Sequence, residues 1–315
     1  MQTIPKLDLS HFTQGSEQEK IQFVADLGYA YEQIGFVAIR NHGIPQNILS
    51  DLYEEVKNFF ELPTETKLRY DDTAGGGQRG YTGFGKEHAK DRNAGDLKEF
   101  WHFGQYTDGA TTDVPSYPPN KIVQELPGFN LAGENIYKAL EYTGIEMLRA
   151  IALHLGLDEN YFDEKVTYGN SILRAIHYPP IVSDPQDAIR AGEHEDINLI
   201  TLLVGASADG LEVLNKNGEW IGVTEVEDHI VVNVGDMLQR LTNDQLKSTT
   251  HRVVNPPREQ WANPRYSIPF FLHPRPEVRL DCLPQCVNEN NPKKYEDCTA
   301  MEFLLQRLRE IGLIK

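Results

Sequence analysis

A mixed α/β chain with a mainly β core is what this sequence predicts. The expected fold is a double-stranded β-helix (a cupin-like jelly roll) with flanking helices and an N-terminal α/β extension. Three observations predict it. From about residue 171 onward, short apolar stretches alternate with turn residues, and Asn215-Lys216-Asn217-Gly218 reads as a hairpin turn between two of them. Before that point the texture is helical. A stripe from about Asn130 to Leu155 carries Ile136, Leu140, Ile145, Leu148, Ile151 and Leu155 at helical spacing, and Gly156 ends it. Finally, histidines and an aspartate stand within the stretches read as strands, as suits a container fold with a central metal.

The 315 residues, 40% of them hydrophobic, are ample for one large core with a helical extension. They divide into an N-terminal module at 1–120, a linking helical segment at 121–165, the jelly roll at 166–275 and a C-terminal helical extension at 276–315. A net charge of −17 argues against a nucleic-acid or membrane-surface partner, which would need a basic patch. Cys282, Cys286 and Cys298 are too few and too loosely spaced for a disulfide framework or a zinc site. They read as reduced thiols of a cytoplasmic protein. No apolar leader and no run of about 18 apolar residues suggests export or membrane insertion. Oligomeric state is not legible.

In chain order, Ile4–Ser10 reads as a short strand. Ser16 with Glu19 forms a capping box for a helix reaching about Ile34. Phe36–Arg40 is a buried strand, and Asn41-His42-Gly43-Ile44-Pro45 is a turn into a helix over about Gln46–Phe60. His42, beside a turn glycine, reads as a structural hydrogen-bonding residue. Residues 71–96 are irregular and glycine-rich without the Gly-Lys-[Ser/Thr] of a phosphate loop. They are either a plain linker or a segment covering a pocket, with Arg79, Tyr81 and Phe84 as its contacts. Asp96–Phe103 reads as a strand. Further strands are expected at Ser171–Tyr178, Glu193–Val204, Leu211–Leu214, Trp220–Val223, Ile230–Val234, Ser248–Val254 and Arg265–His273. A last helix opens at Thr299, with Glu302 completing a capping box, and runs to about Ile311.

The chemistry concentrates in two motifs. His194 and Asp196, two apart in an expected strand, face one side, and His251 lies in another expected strand. Two imidazoles and one carboxylate cap one face of an octahedral metal and leave three neighbouring positions open, the facial triad of non-haem Fe(II) oxygenases. Zn(II) and a hydrolase are conceivable on these ligands alone. Further on, Arg265 and Ser267 share a face. A guanidinium fork pairs both oxygens of a carboxylate and a hydroxyl takes a further contact. Behind a metal, such a clamp holds the far end of a small diacid, which a hydrolase does not need.

His-x-Asp, a distant His and then Arg-x-Ser together resemble the Fe(II)/2-oxoglutarate-dependent oxygenases, most closely the isopenicillin N synthase-like family. The stretch from His194 to Leu203 looks like that family in particular. Gly35-Phe36 with Asn41-His42-Gly43-Ile44 resembles its N-terminal signature. The resemblance implies Fe(II), 2-oxoglutarate as co-substrate and O2. It implies that Arg265, Ser267 and Tyr178, the tyrosine before Pro179, hold the distal carboxylate. It further implies hydroxylation, desaturation or ring closure of a small metabolite, with release of succinate and CO2. Two other functions stay open at this point: an Fe(II) oxidase of the isopenicillin N synthase or ethylene-forming type, which uses no 2-oxoglutarate, and a non-catalytic metal-binding jelly-roll sensor.

Alternation along the strands extends the pocket. With Arg265 and Ser267 inward, Pro269, Phe271 and His273 follow. With Tyr178 inward, Ile176 and Arg174 follow while His177 points out, which makes His177 a poor ligand. Arg174 is then either one half of a salt bridge or an anchor for an anionic substrate. The substrate residues expected are Arg174, Phe271, His273, Arg79, Tyr81 and Phe84.

Overall fold

The computed structural model describes residues 3–72, 77–86, 96–107, 109–110, 114–186, 188–204, 210–223 and 228–310. The chain opens with β1 (Lys6–Asp8), the single turn α1 (Ser10–Thr13), α2 (Glu17–Gln33) and β2 (Phe36–Arg40). Ser16 caps α2 with Glu19 closing the box, so two orphan N-terminal donors are satisfied reciprocally. Then follow α3 (Gln46–Glu61), α4 (Thr64–Leu68), β3 (Gly80–Thr82) and β4 (Glu99–Gly104). The long helix α5 (Pro127–His154) starts with proline at its first position and stops at Gly156, whose φ of 71° suits a residue without a side chain. After α6 (Asp163–Val166) come β5 (Ile172–Tyr178), β6 (Ala191–His194), β7 (Ile200–Val204), β8 (Leu211–Leu214), β9 (Trp220–Gly222) and β10 (Ile230–Val234). The last elements are α7 (Asp236–Leu241), β11 (His251–Val253), β12 (Arg265–Leu272) and α8 (Ala300–Glu310).

Among the described residues the strands form two sheets. The larger has the order β1-β2-β10-β7-β12-β5-β4-β3, and the smaller has β6-β11-β8-β9. This is the jelly-roll core with a mixed α/β surround. The N-terminal strands do not stand apart: β1 and β2 extend one edge of the larger sheet through β2–β10, and β3 and β4 extend the other through β4–β5. Covering both edges with the chain's own strands leaves fewer unpaired ladder groups.

Alternation gives the larger sheet two apolar faces, and each has its own core. On one face, Phe103, Leu173, Ala175, Leu202, Ile268, Phe270 and Leu272 pack against α2, α3 and α5. Phe59 of α3 stacks on Phe129 of α5 at 4.7 Å and meets Trp101 of β4 edge-on at 4.9 Å. Such pairs add about 0.5–1.5 kcal/mol each beyond the area they bury. On the other face, Phe36, Ala38, Phe100, Ile176 and Tyr178 meet Ala191, Val213, Ile221 and Val253 of the smaller sheet. This second, thinner core is the barrel interior.

One expected strand is two. Glu193–Val204 splits into β6 and β7, which belong to different sheets, and residues 195–199 turn between them. Asp196 is therefore beyond the end of its strand, and simple alternation does not place it. Short elements also escape the sequence reading: α1, α4, α6, α7 and β3 are each six residues or fewer, too short to show a period. The three cysteines are free thiols, and no helix among the described residues is long and apolar enough to cross a membrane.

Candidate metal centre and co-substrate site

His194 ends β6 and His251 opens β11, and the two are direct partners across the smaller sheet, with ring centroids 4.4 Å apart. Asp196 reaches them from the 195–199 turn. Its Oδ1 lies 3.7 Å from Nε2 of His251 and 4.0 Å from Nε2 of His194. The start of α7 holds that turn: backbone N–H groups of Asp236 and Met237 donate to the carbonyls of Asp196 and Asn198 at 2.7 and 3.1 Å. A Cβ on Gly235 would overlap Asn198, so glycine is what lets α7 come this close.

The polar neighbours leave the ligating atoms available. Nδ1 of His194 faces the Gly192 carbonyl at 2.7 Å, and Nδ1 of His251 faces the Thr249 carbonyl at 3.1 Å. A carbonyl only accepts, so each Nδ1 carries the proton and each Nε2 presents a lone pair. Thr201 Oγ1 and Asn233 Nδ2 donate to Oδ2 of Asp196 at 2.6 and 2.8 Å, leaving Oδ1 toward the imidazoles. Burial pushes the Asp196 carboxyl up, but His251, His194 and these two hydrogen bonds outweigh it and hold it below the usual carboxylate range. Desolvation of a still partly exposed ring, and then the neighbouring His251, push the His194 imidazole down to about 4. The three donor atoms lie within 4.8 Å of one another, as one ion bound by all three requires. Two imidazoles whose Nδ1 atoms are engaged by carbonyls, and a carboxylate with ordered outer partners, fit Fe(II). Phe36 meets the His251 ring edge-on at 5.5 Å and adds an apolar wall.

The expected clamp residues lie on the same face of the larger sheet. Arg265 and Ser267 of β12 are buried, and the neighbours that alternate with them, Tyr266 and Ile268, pack on the helical side. Arg265 is the direct partner of Tyr178 across the β12–β5 ladder, with its Cζ 5.1 Å from the tyrosine ring. Arg174, opposite His102 in the β4–β5 ladder, donates from Nε to His102 Nε2 at 2.6 Å. Its Cζ stands 4.3 Å from the Phe100 ring and 5.3 Å from the Phe271 ring. His273 is buried just past β12. Burial pushes its imidazole down to about 4, against the pull of the Asp196 charge.

The glycine-rich segment is placed differently from expectation. Residues 73–76 and 87–95 lie outside the described residues. Tyr81 is on the helical side of the sheet, edge-on to Phe59, with its hydroxyl donated to Glu99 at 2.5 Å. Its strand puts it opposite Trp101, whose side chain also faces the helices, so it cannot reach the barrel interior. Arg79 is fully buried as a strut: Nε and Nη1 donate to the Pro118 and Gln78 carbonyls, and the guanidinium fills the space left by Gly104. Phe84 stays exposed in the turn after β3. His177 turns to the helical side, stacked on Tyr266 and bonded to Glu99, as alternation predicts.

Sequence reasoning misses Thr201, Asn233 and Arg190. Thr201 and Asn233 face each other across β7–β10, a pairing that a single sequence does not reveal. Arg190, four residues before His194, is 2% exposed, and a buried arginine carries no local signature.

Known proteins resemble this chain over most of its length. Residues 4–125 match the family model described as "non-haem dioxygenase in morphine synthesis N-terminal", and residues 169–274 match "2OG-Fe(II) oxygenase superfamily". A 2-oxoglutarate-Fe(II) type oxidoreductase, hxnY of Emericella nidulans, is 31% identical over 95% of this chain and 88% of its own length. The structure of a 2OG-Fe(II) oxygenase family protein from Caulobacter crescentus is 40% identical, with TM-score 0.86, over 99% of this chain and 100% of that one. A full-length Neurospora crassa protein solved in complex with alpha-KG is 35% identical, with TM-score 0.87, over 97% and 95% of the two chains; it has also been solved with alpha-KG and thymine. The chain thus belongs to the 2OG-Fe(II) oxygenase superfamily, a 2-oxoglutarate-dependent dioxygenase that works with Fe(II).

Proposed function

We propose that this oxygenase hydroxylates a small polar or anionic metabolite, with desaturation or ring closure as other outcomes of the same site. In this reading His194, Asp196 and His251 hold Fe(II), and Arg265, Ser267 and Tyr178 hold the distal carboxylate of 2-oxoglutarate. With both bound, the site would supply O2 activation coupled to oxidative decarboxylation of the keto acid to succinate and CO2, the chemistry that oxidises a substrate C–H bond. The protein contributes orientation and a site shielded from water.

One observation carries the substrate class. Arg174 sets a guanidinium plane beside Phe100 and Phe271 on the inner face of the sheet, with its Nε engaged by His102. A cation flanked by aromatic rings suits a compact ligand with an oxygen-rich edge, either a carboxylate or a flat ring with carbonyls. In this reading His273, buried two residues beyond Phe271, belongs to the same wall. The thymine-bound Neurospora relative, a flat carbonyl-bearing ligand on a similar fold, is in keeping with this.

The test is a panel of amino acids, other carboxylic acids and pyrimidines offered to the Fe(II) enzyme, with succinate release read against product mass. The proposal expects substrate-dependent succinate from the anionic or carbonyl-rich members, and loss of that dependence in Arg174→Gln. Turnover confined to apolar compounds would overturn it.

A further inference from the structure

Two arginines, not one, are buried around Tyr178. Arg265 is 1% exposed and Arg190 is 2% exposed. Their Cζ atoms lie 5.1 and 5.9 Å from the centroid of the same tyrosine ring. A buried charge ordinarily has a counter-ion, because removing it from water is costly. Among the described residues Arg190 has a neutral partner instead: Nη2 donates to the Asn263 carbonyl at 3.1 Å, two residues before Arg265. Its Nε is buried and has no acceptor among the described residues. Burial and the like charge of Arg265 push its guanidinium down to about 10, the direction expected where an anion is needed.

A carboxylate has about four lone-pair directions. The Arg265 fork and the hydroxyls of Ser267 and Tyr178 can meet these, but the hydroxyls bring no charge, so one cation faces the anion. We propose that Arg190 is a second cationic partner of the co-substrate's distal carboxylate, turning its Nε–H toward that group beside Arg265, Ser267 and Tyr178. This rests on the assignment of Arg265 and Ser267 made above. It makes the pocket select a dianion: 2-oxoglutarate satisfies both guanidinium groups, whereas a monoacid keto acid leaves two buried cations facing each other.

Calorimetry on the anaerobic Mn(II)-loaded protein separates the cases, using 2-oxoglutarate and 2-oxobutyrate, a keto acid that lacks the distal carboxylate. Arg190→Gln is expected to weaken 2-oxoglutarate binding about 10- to 100-fold, the range for a hydrogen bond to a charged group, and 2-oxobutyrate less than about twofold. Arg190→Lys, which keeps the charge, is expected to recover most of the loss. Without co-substrate, Arg190→Gln is expected to melt at or above the parent temperature, while the increase that 2-oxoglutarate produces shrinks. Equal losses for both acids, unchanged 2-oxoglutarate affinity, or a lower ligand-free melting temperature with the increase preserved would overturn the assignment. If the glutamine variant does not fold, Arg190→Met, which keeps the apolar stem and removes the charge, decides: a loss confined to 2-oxoglutarate supports the proposal, and equal loss or none overturns it. Arg265→Gln is the control for the underlying reading. If it leaves 2-oxoglutarate binding intact, that reading fails. If it weakens binding while Arg190→Gln does not, only the role of Arg190 fails.

Discussion

Oδ1 of Asp196 and Nε2 of His251 approach to 3.7 Å from two different sheet connections, one a turn after β6 and the other the first residue of β11. The contact is too long for a hydrogen bond, and it leaves room for an ion that both atoms bind. Asp196→Ala should therefore lose more than about 100-fold in Fe(II) affinity, since the site keeps only two neutral donors. Metal content after dialysis and succinate release check this together. A variant that loads iron and turns over like the parent would remove the basis of the assignment.

The partners of Asp196 give a second expectation. Thr201 donates to Oδ2 at 2.6 Å, and Val in its place keeps the shape but not the donor. Thr201→Val should lower metal affinity about 10- to 100-fold, as losses of such outer hydrogen bonds do. The fold should persist, because Thr201 lies in a central strand whose ladder bonds are backbone only. Metal titration by calorimetry, with circular dichroism as the control, reads both.

How far this is legible in the sequence depends on periodicity. The strands Phe36–Arg40 and Ile230–Val234 and the two capping boxes follow from local pattern, because their signals lie within a few residues. The convergence of His194 and His251 follows from ligand chemistry, and the ladder between β6 and β11 supplies its geometry. For Asp196 strand alternation is an incomplete reason, since it stands in a turn braced by α7 instead of on a strand. Tyr81 and Arg79 fall elsewhere than expected because glycine-rich composition suggests a surface loop, whereas pairing of β3 with β4 draws the segment into the sheet. Pairing partners far apart in sequence are what one chain's pattern leaves unspecified.

Glu99 carries a stability prediction of a different kind. It accepts from Lys67 Nζ at 2.8 Å and Tyr81 at 2.5 Å, and His177 Nδ1 lies 2.8 Å away, all on the helical side of the sheet. Both charges of the Lys67–Glu99 pair are buried. Glu99→Gln leaves Lys67 without its counter-ion and should cost about 3–5 kcal/mol, whereas Lys67→Met with Glu99→Gln should recover part of it. Urea unfolding midpoints measure the difference. Iron affinity should be unchanged, because the network is on the face of the sheet opposite the triad.

Asp8 links acid stability to the N-terminal strand. It accepts from the Ser10 backbone and hydroxyl, from Arg40 Nε at 2.8 Å and from Asn41 Nδ2 at 2.9 Å, which pins β1 and the turn after β2 together. Burial pushes its carboxyl up, but the Ser10 and Asn41 hydrogen bonds and the Arg40 charge prevail and lower it from 3.8 to about 2. A carboxyl that is more acidic when folded releases its proton more readily in the native state. Its contribution is therefore complete above the unfolded value of 3.8 and lost as pH falls from there through about 2. Asp8→Asn should lower stability at neutral pH and flatten the acid limb of the curve, so that variant and parent converge toward about pH 2. Chemical denaturation at closely spaced acidic pH values tests it. A constant gap between the two proteins down to the lowest pH would show that the Asp8 carboxylate is not what ties β1 in place.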